Sequence, residues 1–365
     1  MNVNQETPAP FELRPLDLAR VSDDDVQALL PLMRALRLEA HPDDDPPTEA
    51  GLRGSLLGVT QMSELRVEAV VAWEGARSDG RGGSRAIGRA FAYVPVGRDN
   101  RHLVQLDVQV APDRRRRGVG RALLAWGLAL ARRHDRRLIV GGTGARVPAG
   151  DAFARAFGAR EVMRASTNEL DLEEYGPRLF APDGVVANWM REGPLRAPAY
   201  ELVWIPRPYP EEVLVPFADL KTAMNDAPRG DLDVEDRAYT PDSLRDNDAY
   251  DARAGLVPWT LLARHVATGS FAGFTEIAWD PERPRVAFQG DTAVIPAHRG
   301  HALGKWLKAT MLDRLHRERP EARVVRTGNA DTNEAMLGIN RALGFRQAEA
   351  GVVYQLEVDE LAGRP

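Results

Sequence analysis

One stretch whose residue types suit anion binding occurs twice in this 365-residue chain. The first copy surrounds Pro112, and the second surrounds Pro296, 184 residues further along. In each copy a β-forming run is followed by a glycine- and arginine-containing turn and then by an apolar helical pattern. The backbone N–H groups of such a turn and of a helix N-terminus bind phosphate groups. The sequence therefore predicts two phosphate-binding loops.

The two copies match position by position around their prolines. A valine lies two residues before, an aspartate five before, an arginine three after and a glycine eight after: Val110, Asp107, Arg115 and Gly120, then Val294, Asp291, Arg299 and Gly304. This spacing is far too long for a solenoid, whose repeats are about 20–50 residues. It indicates a duplicated domain.

The elements that position the loops are predicted in the same order in both halves. Hydrophobic periodicity predicts strand, two helices, three strands, helix, strand, helix and strand in each half. After the second loop the stripe is Leu303, Leu307, Met311 and Leu315, with Lys305, Lys308, Arg314 and Arg317 facing away. The order lacks the strict alternation of a Rossmann fold, so we expect the α/β (α+β) class, with a mixed, mostly antiparallel sheet.

Length and repeat together predict two domains, residues 12–172 and 200–358. A proline-punctuated connector, residues 173–199, joins them and contains one helix-like patch, VVANWMR (185–191).

Composition argues against several classes of protein. A net charge of −5 and a pI near 5.9 argue against nucleic-acid binding, despite four consecutive arginines at 114–117. The sequence contains no run of 18 apolar residues, so it predicts no membrane span, and no secretory signal is apparent. We therefore expect a cytoplasmic protein. The absence of cysteine excludes disulfides, thiolate metal sites and a cysteine nucleophile. His298 and His301 have no carboxylate or cysteine companions, so we expect no metal.

Two other interpretations of the loops are a plain helix start and a P-loop NTPase. A single glycine turn of this kind is often a plain helix start. A P-loop NTPase is excluded because Gly300 to Lys305 is one residue too short for the motif and Trp306 replaces its Ser or Thr.

With their flanking elements, the loops resemble the pyrophosphate loop of the GCN5-related N-acetyltransferases (GNAT). That family's pattern, [Q/R]-x-x-G-x-[G/A] after V-x-P, stands here as RRRGVG (115–120) and RGHALG (299–304), with Ala302 where glycine is usual. The second half also has the family's N-x-x-M-x-x-x-N-x-x-L-G-F pattern, from Asn333 to Phe345. The resemblance covers both halves and implies the tandem type, with two acyl-CoA N-acyltransferase domains, that includes mycothiol synthase.

This resemblance implies acetyl-CoA as the cofactor. The implied loop residues are Arg115, Arg116, Arg117, Gly118, Val119, Gly120 and Arg121, then Arg299, Gly300, His301, Ala302, Leu303, Gly304 and Lys305. Free amides near Val108 and Val110, and near Thr292 and Val294, are implied to grip the pantetheine and the thioester carbonyl. Asn329 and Asn333 resemble the asparagines that bind the pantetheine arm, and the first half has no asparagine in the matching segment.

Three carboxylates are candidates for the general base. A free alkylamine has a pKa of about 10.4 and must lose its proton before it attacks a thioester. Asp107 and Asp291 lie on the strands that enter the loops, and Glu276 lies on the strand before the second loop. A carboxylate, or a water that it holds, can take the proton. A solvated strand carboxylate is the competing interpretation for each.

No general acid is obvious from the sequence. The family often has a tyrosine four residues before the closing Gly-Phe pair, where this chain has Asn340, and Ala154 stands at the corresponding place in the first half. Solvent, Tyr354, or no acid at all are the alternatives, because a thiolate is a tolerable leaving group.

Our hypothesis is acetyl transfer from acetyl-CoA to a primary amine of a small molecule or peptide, by direct attack in a ternary complex. We place the chemistry in the carboxyl-terminal half, which has both family patterns. Catalysis in the amino-terminal half is one alternative, and a non-catalytic acyl-CoA-binding module is another. A structural adaptor is a third. We expect a monomer or homodimer that binds neither nucleic acid nor membrane.

Overall fold

The computed structural model describes residues 11–75 and 84–360. The elements of the amino-terminal half follow the predicted order: β1 (Phe11–Leu16), α1 (Asp23–Ala40), α2 (Glu49–Gly58), β2 (Leu65–Glu74), β3 (Arg85–Pro95), β4 (Leu103–Val110), α3 (Val119–Arg133), β5 (Leu138–Gly144), α4 (Pro148–Ala156) and β6 (Arg160–Asp171).

After the connector, the carboxyl-terminal half repeats this order. The connector contains α5 (Leu172–Leu179) and α6 (Val185–Arg196). The elements that follow are β7 (Tyr200–Ile205), α7 (Glu211–Lys221), α8 (Pro241–Ala254), β8 (Val257–His265), β9 (Phe271–Trp279), β10 (Val286–Val294), α9 (Leu303–Glu318), β11 (Val324–Ala330), α10 (Glu334–Leu343) and β12 (Arg346–Glu357).

The strands of the described chain form one sheet, in the order β1-β2-β3-β4-β5-β12-β6-β11-β10-β9-β8-β7. Parallel pairing joins β4 to β5 and β10 to β11, and the other pairings are antiparallel. The predicted α/β (α+β) class with a mixed, mostly antiparallel sheet is therefore confirmed.

The last strand of each half has crossed to the other half. β12 pairs with β5, β6 pairs with β11, and the two crossed strands pair with each other at the centre of the sheet. Ranges 12–172 and 200–358 describe the sequence duplication well, but each contributes one strand to its neighbour. Their status as separate domains stays a prediction.

Helices cover both faces of the sheet. On one face, α3 packs on the amino-terminal half and α9, with α6 outside it, on the carboxyl-terminal half. The opposite face carries α1 and α2 in one half and α7 and α8 in the other. The connector packs closely, because a Cβ added at Gly193 of α6 would lie 2.3 Å from the ring of Trp306.

Helix α9 confirms the predicted apolar stripe and corrects one prediction. Leu303, Leu307, Met311 and Leu315 are at most 1% exposed. Lys308 was predicted to face away but is also 1% exposed. The reason is that α10 lies against this side of α9, so Lys308 contacts Asn340 of α10 rather than solvent.

Candidate active site

The two predicted phosphate loops have the same backbone conformation. Each begins with one 3-10 turn directly after its strand. Two residues of each loop then have left-handed φ angles, Arg116 (62°) and Gly118 (83°) in the first and Gly300 (88°) and Ala302 (58°) in the second. The following helix starts one residue later in both copies. The first N–H groups of α3 and α9 therefore open onto the loops, which is the geometry that binds anions.

Arg115 and Arg299 stabilise the loops through hydrogen bonds to the backbone. The Nε of each donates to the carbonyl of the valine five residues earlier, at 3.3 Å and 2.9 Å. Arg115 Nη1 also lies 2.6 Å from Glu39 Oε1 at the end of α1, and Arg299 Nη2 lies 2.9 Å from Asp226 Oδ2 just after α7. Both guanidinium groups are thus engaged within the protein, and their binding of a coenzyme stays a prediction.

The strand that enters each loop separates from its parallel neighbour. β4 and β5 pair only from Leu103 to Gln105 on the β4 side, although β4 continues to Val110. β10 and β11 pair only from Val286 to Phe288 on the β10 side, although β10 continues to Val294. A gap opens in the sheet beyond each pairing, next to the loop.

A cavity of about 840 Å³ lies at the gap in the amino-terminal half. Its lining includes most of the residues predicted for this half: Asp107, Val108, Val110, Arg115, Arg116, Gly118, Gly120 and Arg121. Ligand pockets usually measure about 300–1,000 Å³, so these residues fit a cofactor of the size of acetyl-CoA.

The crossed strand β12 completes this cavity. Its residues Glu349, Tyr354 and Leu356 lie on the cavity wall, and the Tyr354 hydroxyl donates to Asp151 of α4. The sequence leaves Tyr354 as one alternative for the general acid. Strand exchange places it beside the loop of the amino-terminal half.

The matching gap in the carboxyl-terminal half contains hydrogen-bonded amides. Asn340 Nδ2 donates to Asn329 Oδ1 at 2.9 Å, and Asn340 Oδ1 accepts from Lys308 Nζ at 2.6 Å. Asn333 Oδ1 accepts from the backbone N–H of Met336 at 3.2 Å and caps α10. The two predicted asparagines thus have different surroundings, and only Asn329 joins this network.

The remaining predicted binding residues have varied surroundings. Val119 and Leu303 are each 1% exposed, so their side chains belong to the core. Arg117 is exposed and is not part of the cavity lining. Three others contact neighbouring side chains. The Thr292 hydroxyl forms a 2.8 Å hydrogen bond with that of Thr275. The ring of His301 packs against that of Tyr200, and Lys305 Nζ lies over the ring of Trp189.

A second cavity, of about 500 Å³, lies where the two halves meet on the α7 and α8 face. The predicted carboxylates Glu276 and Asp291 line it, together with Phe288. The amino-terminal half supplies an apolar wall: Val59, Met62, Leu65, Val67 and Tyr93. The tertiary structure therefore brings two of the three predicted bases together in one chamber.

Lys221, at the end of α7, joins the two carboxylates. Its Nζ lies 2.6 Å from Glu276 Oε2 and 3.0 Å from Asp291 Oδ2. Burial by itself would lower the pKa of Lys221, but the two carboxylates outweigh it and raise that pKa above its ordinary value. Lys221 therefore stays protonated.

The two carboxylates differ in their free lone pairs. Glu276 Oε1 accepts from the Tyr209 hydroxyl at 3.0 Å, so both of its oxygens are engaged. Asp291 uses only Oδ2, and its side chain is 39% exposed. Asp291 Oδ1 is therefore the oxygen that remains available for an incoming amine.

A second ion cluster contributes Arg207 and Asp251 to the cavity lining. Arg207 pairs with Asp248 and Asp251, with 2.5 Å between Nη2 and Asp251 Oδ2. Burial raises the pKa of Asp251 to about 6, although Arg207 opposes the shift. The cavity surroundings thus contain four carboxylates and two basic side chains, both of which are already paired.

Asp107 has a different setting from its counterpart Asp291. Its Oδ2 accepts from Arg89 Nη2 at 3.2 Å, and its side chain is 41% exposed. Across the strand pair it faces Phe91, which takes the place of Glu276 in this half. The amino-terminal half therefore lacks the paired carboxylates.

Lys221, Tyr209 and Lys308 were missed as site residues. The sequence signal that could have identified the two lysines is their rarity: only three of the 48 basic residues are lysine. Two of those three, Lys221 and Lys308, are buried. The rarity of lysine in the sequence is the feature that distinguishes these positions.

Within residues 11–75 and 84–360, no helix is long and apolar enough to cross a membrane. The same described ranges contain no group of three or more His, Cys, Asp or Glu residues that could hold a metal ion.

Comparison with known proteins agrees with this geometry. The family model described as "Acetyltransferase (GNAT) family" matches residues 221–345. The mycothiol acetyltransferase of Catenulispora acidiphila is 28% identical over 260 residues, which are 68% of this chain and 71% of that protein.

Solved structures extend the similarity over the whole chain. A tandem GNAT protein from the clavulanic acid biosynthesis pathway is 31% identical, with a TM-score of 0.76, over 95% of this chain and 98% of its own. A GCN5-related N-acetyltransferase from Sphaerobacter thermophilus is 16% identical, with a TM-score of 0.61 over 96% of each chain, and shows the fold alone.

Proposed function

Because this chain belongs to the GNAT acetyltransferases, in the tandem form, and is accordingly an acyltransferase, we propose that it moves an acetyl group from acetyl-CoA to a primary amine. The acceptor is a small molecule or peptide, and attack is direct, in a ternary complex. We place the chemistry in the carboxyl-terminal half. The observation that carries this proposal is the cavity lined by Glu276 and Asp291, on the strands beside the second loop.

The protein's own groups have distinct parts in this mechanism. Asp291 Oδ1 receives the ammonium group of the acceptor and takes its proton, directly or through one water. Lys221 holds Asp291 in place, and Glu276 with Tyr209 holds Lys221. Acetyl-CoA would supply the activated acyl group: as the amide C–N bond forms, the thioester C–S bond breaks, and coenzyme A leaves as a thiolate that takes a proton from solvent. The α9 N-terminus and its loop would hold the phosphates, and amides near Thr292 and Val294 would donate to the thioester oxygen.

The lining of the second cavity indicates which class of acceptor it suits. Carboxylate oxygens on one side suit a cationic amine, and the apolar wall from the amino-terminal half suits a partly apolar body. A similar protein is named for mycothiol and another for clavulanic acid biosynthesis, so small-molecule acceptors are the class to assay first.

A second candidate places the chemistry in the amino-terminal half. It is favoured by the 840 Å³ cavity, which has Asp107 and Tyr354 on its wall. In our main proposal this cavity binds coenzyme without turning it over, because Asp107 has no carboxylate partner there.

Matched substitutions at the two loops test the assignment. A Cβ at Gly120 or Gly304 meets only a side chain, Phe153 at 3.1 Å or Ile339 at 3.3 Å. Gly304→Asp places a negative charge at the phosphate site, and we expect kcat/KM for acetyl-CoA to fall by about 100-fold. Gly304→Asn, of the same size but uncharged, should cost less than about tenfold.

Gly120→Asp and Gly120→Asn provide the matched pair in the first half. Turnover should fall much less than in Gly304→Asp, while calorimetry should show loss of one coenzyme site. A larger loss from Gly120→Asp would place catalysis in the amino-terminal half, and equal losses would overturn the assignment to the carboxyl-terminal half alone.

A further inference from the structure

Lys308 is a buried amine without a counter-charge. It lies on α9, four residues after Gly304, and is 1% exposed. Its Nζ donates to Asn340 Oδ1 at 2.6 Å, and its next polar neighbour is the sulfur of Met336 at 3.9 Å. No carboxylate of the described residues pairs with it, and burial lowers its pKa to about 7. Such burial opposes folding, so packing alone is a poor explanation for a lysine here.

The lysine sets the direction of a hydrogen-bond chain. Below its pKa of about 7 the Lys308 ammonium group only donates, so the side-chain oxygen of Asn340 then faces Lys308. The NH₂ group of Asn340 then faces Asn329, whose oxygen accepts it at 2.9 Å. The NH₂ group of Asn329 makes no hydrogen bond to the described residues, so it remains available as a donor.

Asn329 lies where that donor is useful. It belongs to β11 beyond the last residue that pairs with β10, at the gap beside the second loop. The matching residues of the first half are Leu124, Ala154 and Thr143, which line the open cavity there and cannot form such a chain. This polar chain therefore belongs to the carboxyl-terminal half alone.

We infer that Lys308 is a positioning residue of the carboxyl-terminal coenzyme site. Through Asn340 it keeps the Asn329 amide turned so that its NH₂ group donates to an amide carbonyl of the pantetheine arm. This inference rests on the proposed binding of acetyl-CoA in that half.

Substitution of Lys308 by methionine tests the inference. Met has a similar length and no donor, so we expect the KM for acetyl-CoA to rise about tenfold while kcat stays within about twofold. The melting temperature should change little, because removal of the buried amine offsets the hydrogen bond that Asn340 Oδ1 loses. A purely structural lysine predicts the opposite pattern, an unchanged KM with altered stability. Leu312→Met, one turn further along α9 and equally buried, controls for repacking.

A double substitution tests the hydrogen-bond chain that runs from Lys308 through Asn340 to Asn329. Asn340→Leu should raise the KM as Lys308→Met does, and the double variant should be no worse than either, since residues that act through one another are not additive. Additive effects, or a normal KM in Lys308→Met, overturn the inference. If calorimetry shows that Gly304→Asp still binds coenzyme at full stoichiometry, the proposed function fails as well. A Gly304→Asp loss with a normal Lys308→Met KM contradicts this inference only.

Discussion

At the scale of single residues, Lys221 distinguishes the two carboxylates of the carboxyl-terminal half. It binds one oxygen of each, and Tyr209 takes the second oxygen of Glu276. Asp291, which lines the cavity, is left with a free oxygen. A base must reach the proton that it removes, so availability of a lone pair ranks Asp291 ahead of Glu276.

Asp291→Asn tests this ranking. General-base catalysis contributes about 10²–10⁴-fold, so we expect kcat to fall by about 100-fold or more, with acetyl-CoA binding unchanged by calorimetry. Asp313→Asn, a surface change on α9 that removes an ion pair with Arg317, should leave kcat unchanged. Loss of activity in Glu276→Gln with retention in Asp291→Asn would reverse the two roles.

At the scale of elements, the loops show how one backbone accommodates two sequences. The second left-handed position is Gly118 in the first loop and Ala302 in the second, with φ of 83° and 58°. A side chain in this region costs roughly 1–2 kcal/mol, whereas glycine adopts it freely. The second loop therefore keeps its shape at a cost in stability that the first does not bear.

Exchange of these two residues should change stability in opposite directions. We expect Ala302→Gly to raise the free energy of unfolding by about 0.5–1 kcal/mol and Gly118→Ala to lower it by about 1 kcal/mol. Gly118 has no atom within 4 Å of an added Cβ, so its change reports on the backbone alone. Denaturant unfolding measures both, and two changes of the same sign would contradict the argument.

At the scale of the whole molecule, the crossed strands join the halves. β6 lies between β11 and β12, and β12 lies between β5 and β6. A buried link supports them, because Arg326 of β11 forms hydrogen bonds with Asp44 of the first half at 2.7 and 2.8 Å. Separation of the halves would therefore break backbone ladders and this ion pair together.

Cleavage of the connector tests that prediction. A protease site inserted between Ala181 and Gly184, in the turn between α5 and α6, should be cut without release of either piece. The fragments should co-elute in native gel filtration and separate only in denaturant. Fragments that part under native conditions would show that the halves are independent units.

The duplication, the order of elements and the family resemblance could all be predicted from the sequence. They depend on local periodicity and on spacings such as that of Pro112 and Pro296, which can be recognised in the sequence without knowledge of the fold. The apolar stripe of α9 was predicted for the same reason.

Only the tertiary structure decided which groups meet. Lys308 was predicted to face solvent because a helical pattern does not say what packs on each side, and α10 covers it. The cavity that Tyr354 lines could not be predicted, because strand pairing depends on long-range contacts, which brought β12 to β5. Lys221 reached Glu276 and Asp291 across 55 and 70 residues. The spacing of residues along the sequence cannot predict contacts between residues so far apart in the chain, because these contacts form only when whole elements pack together.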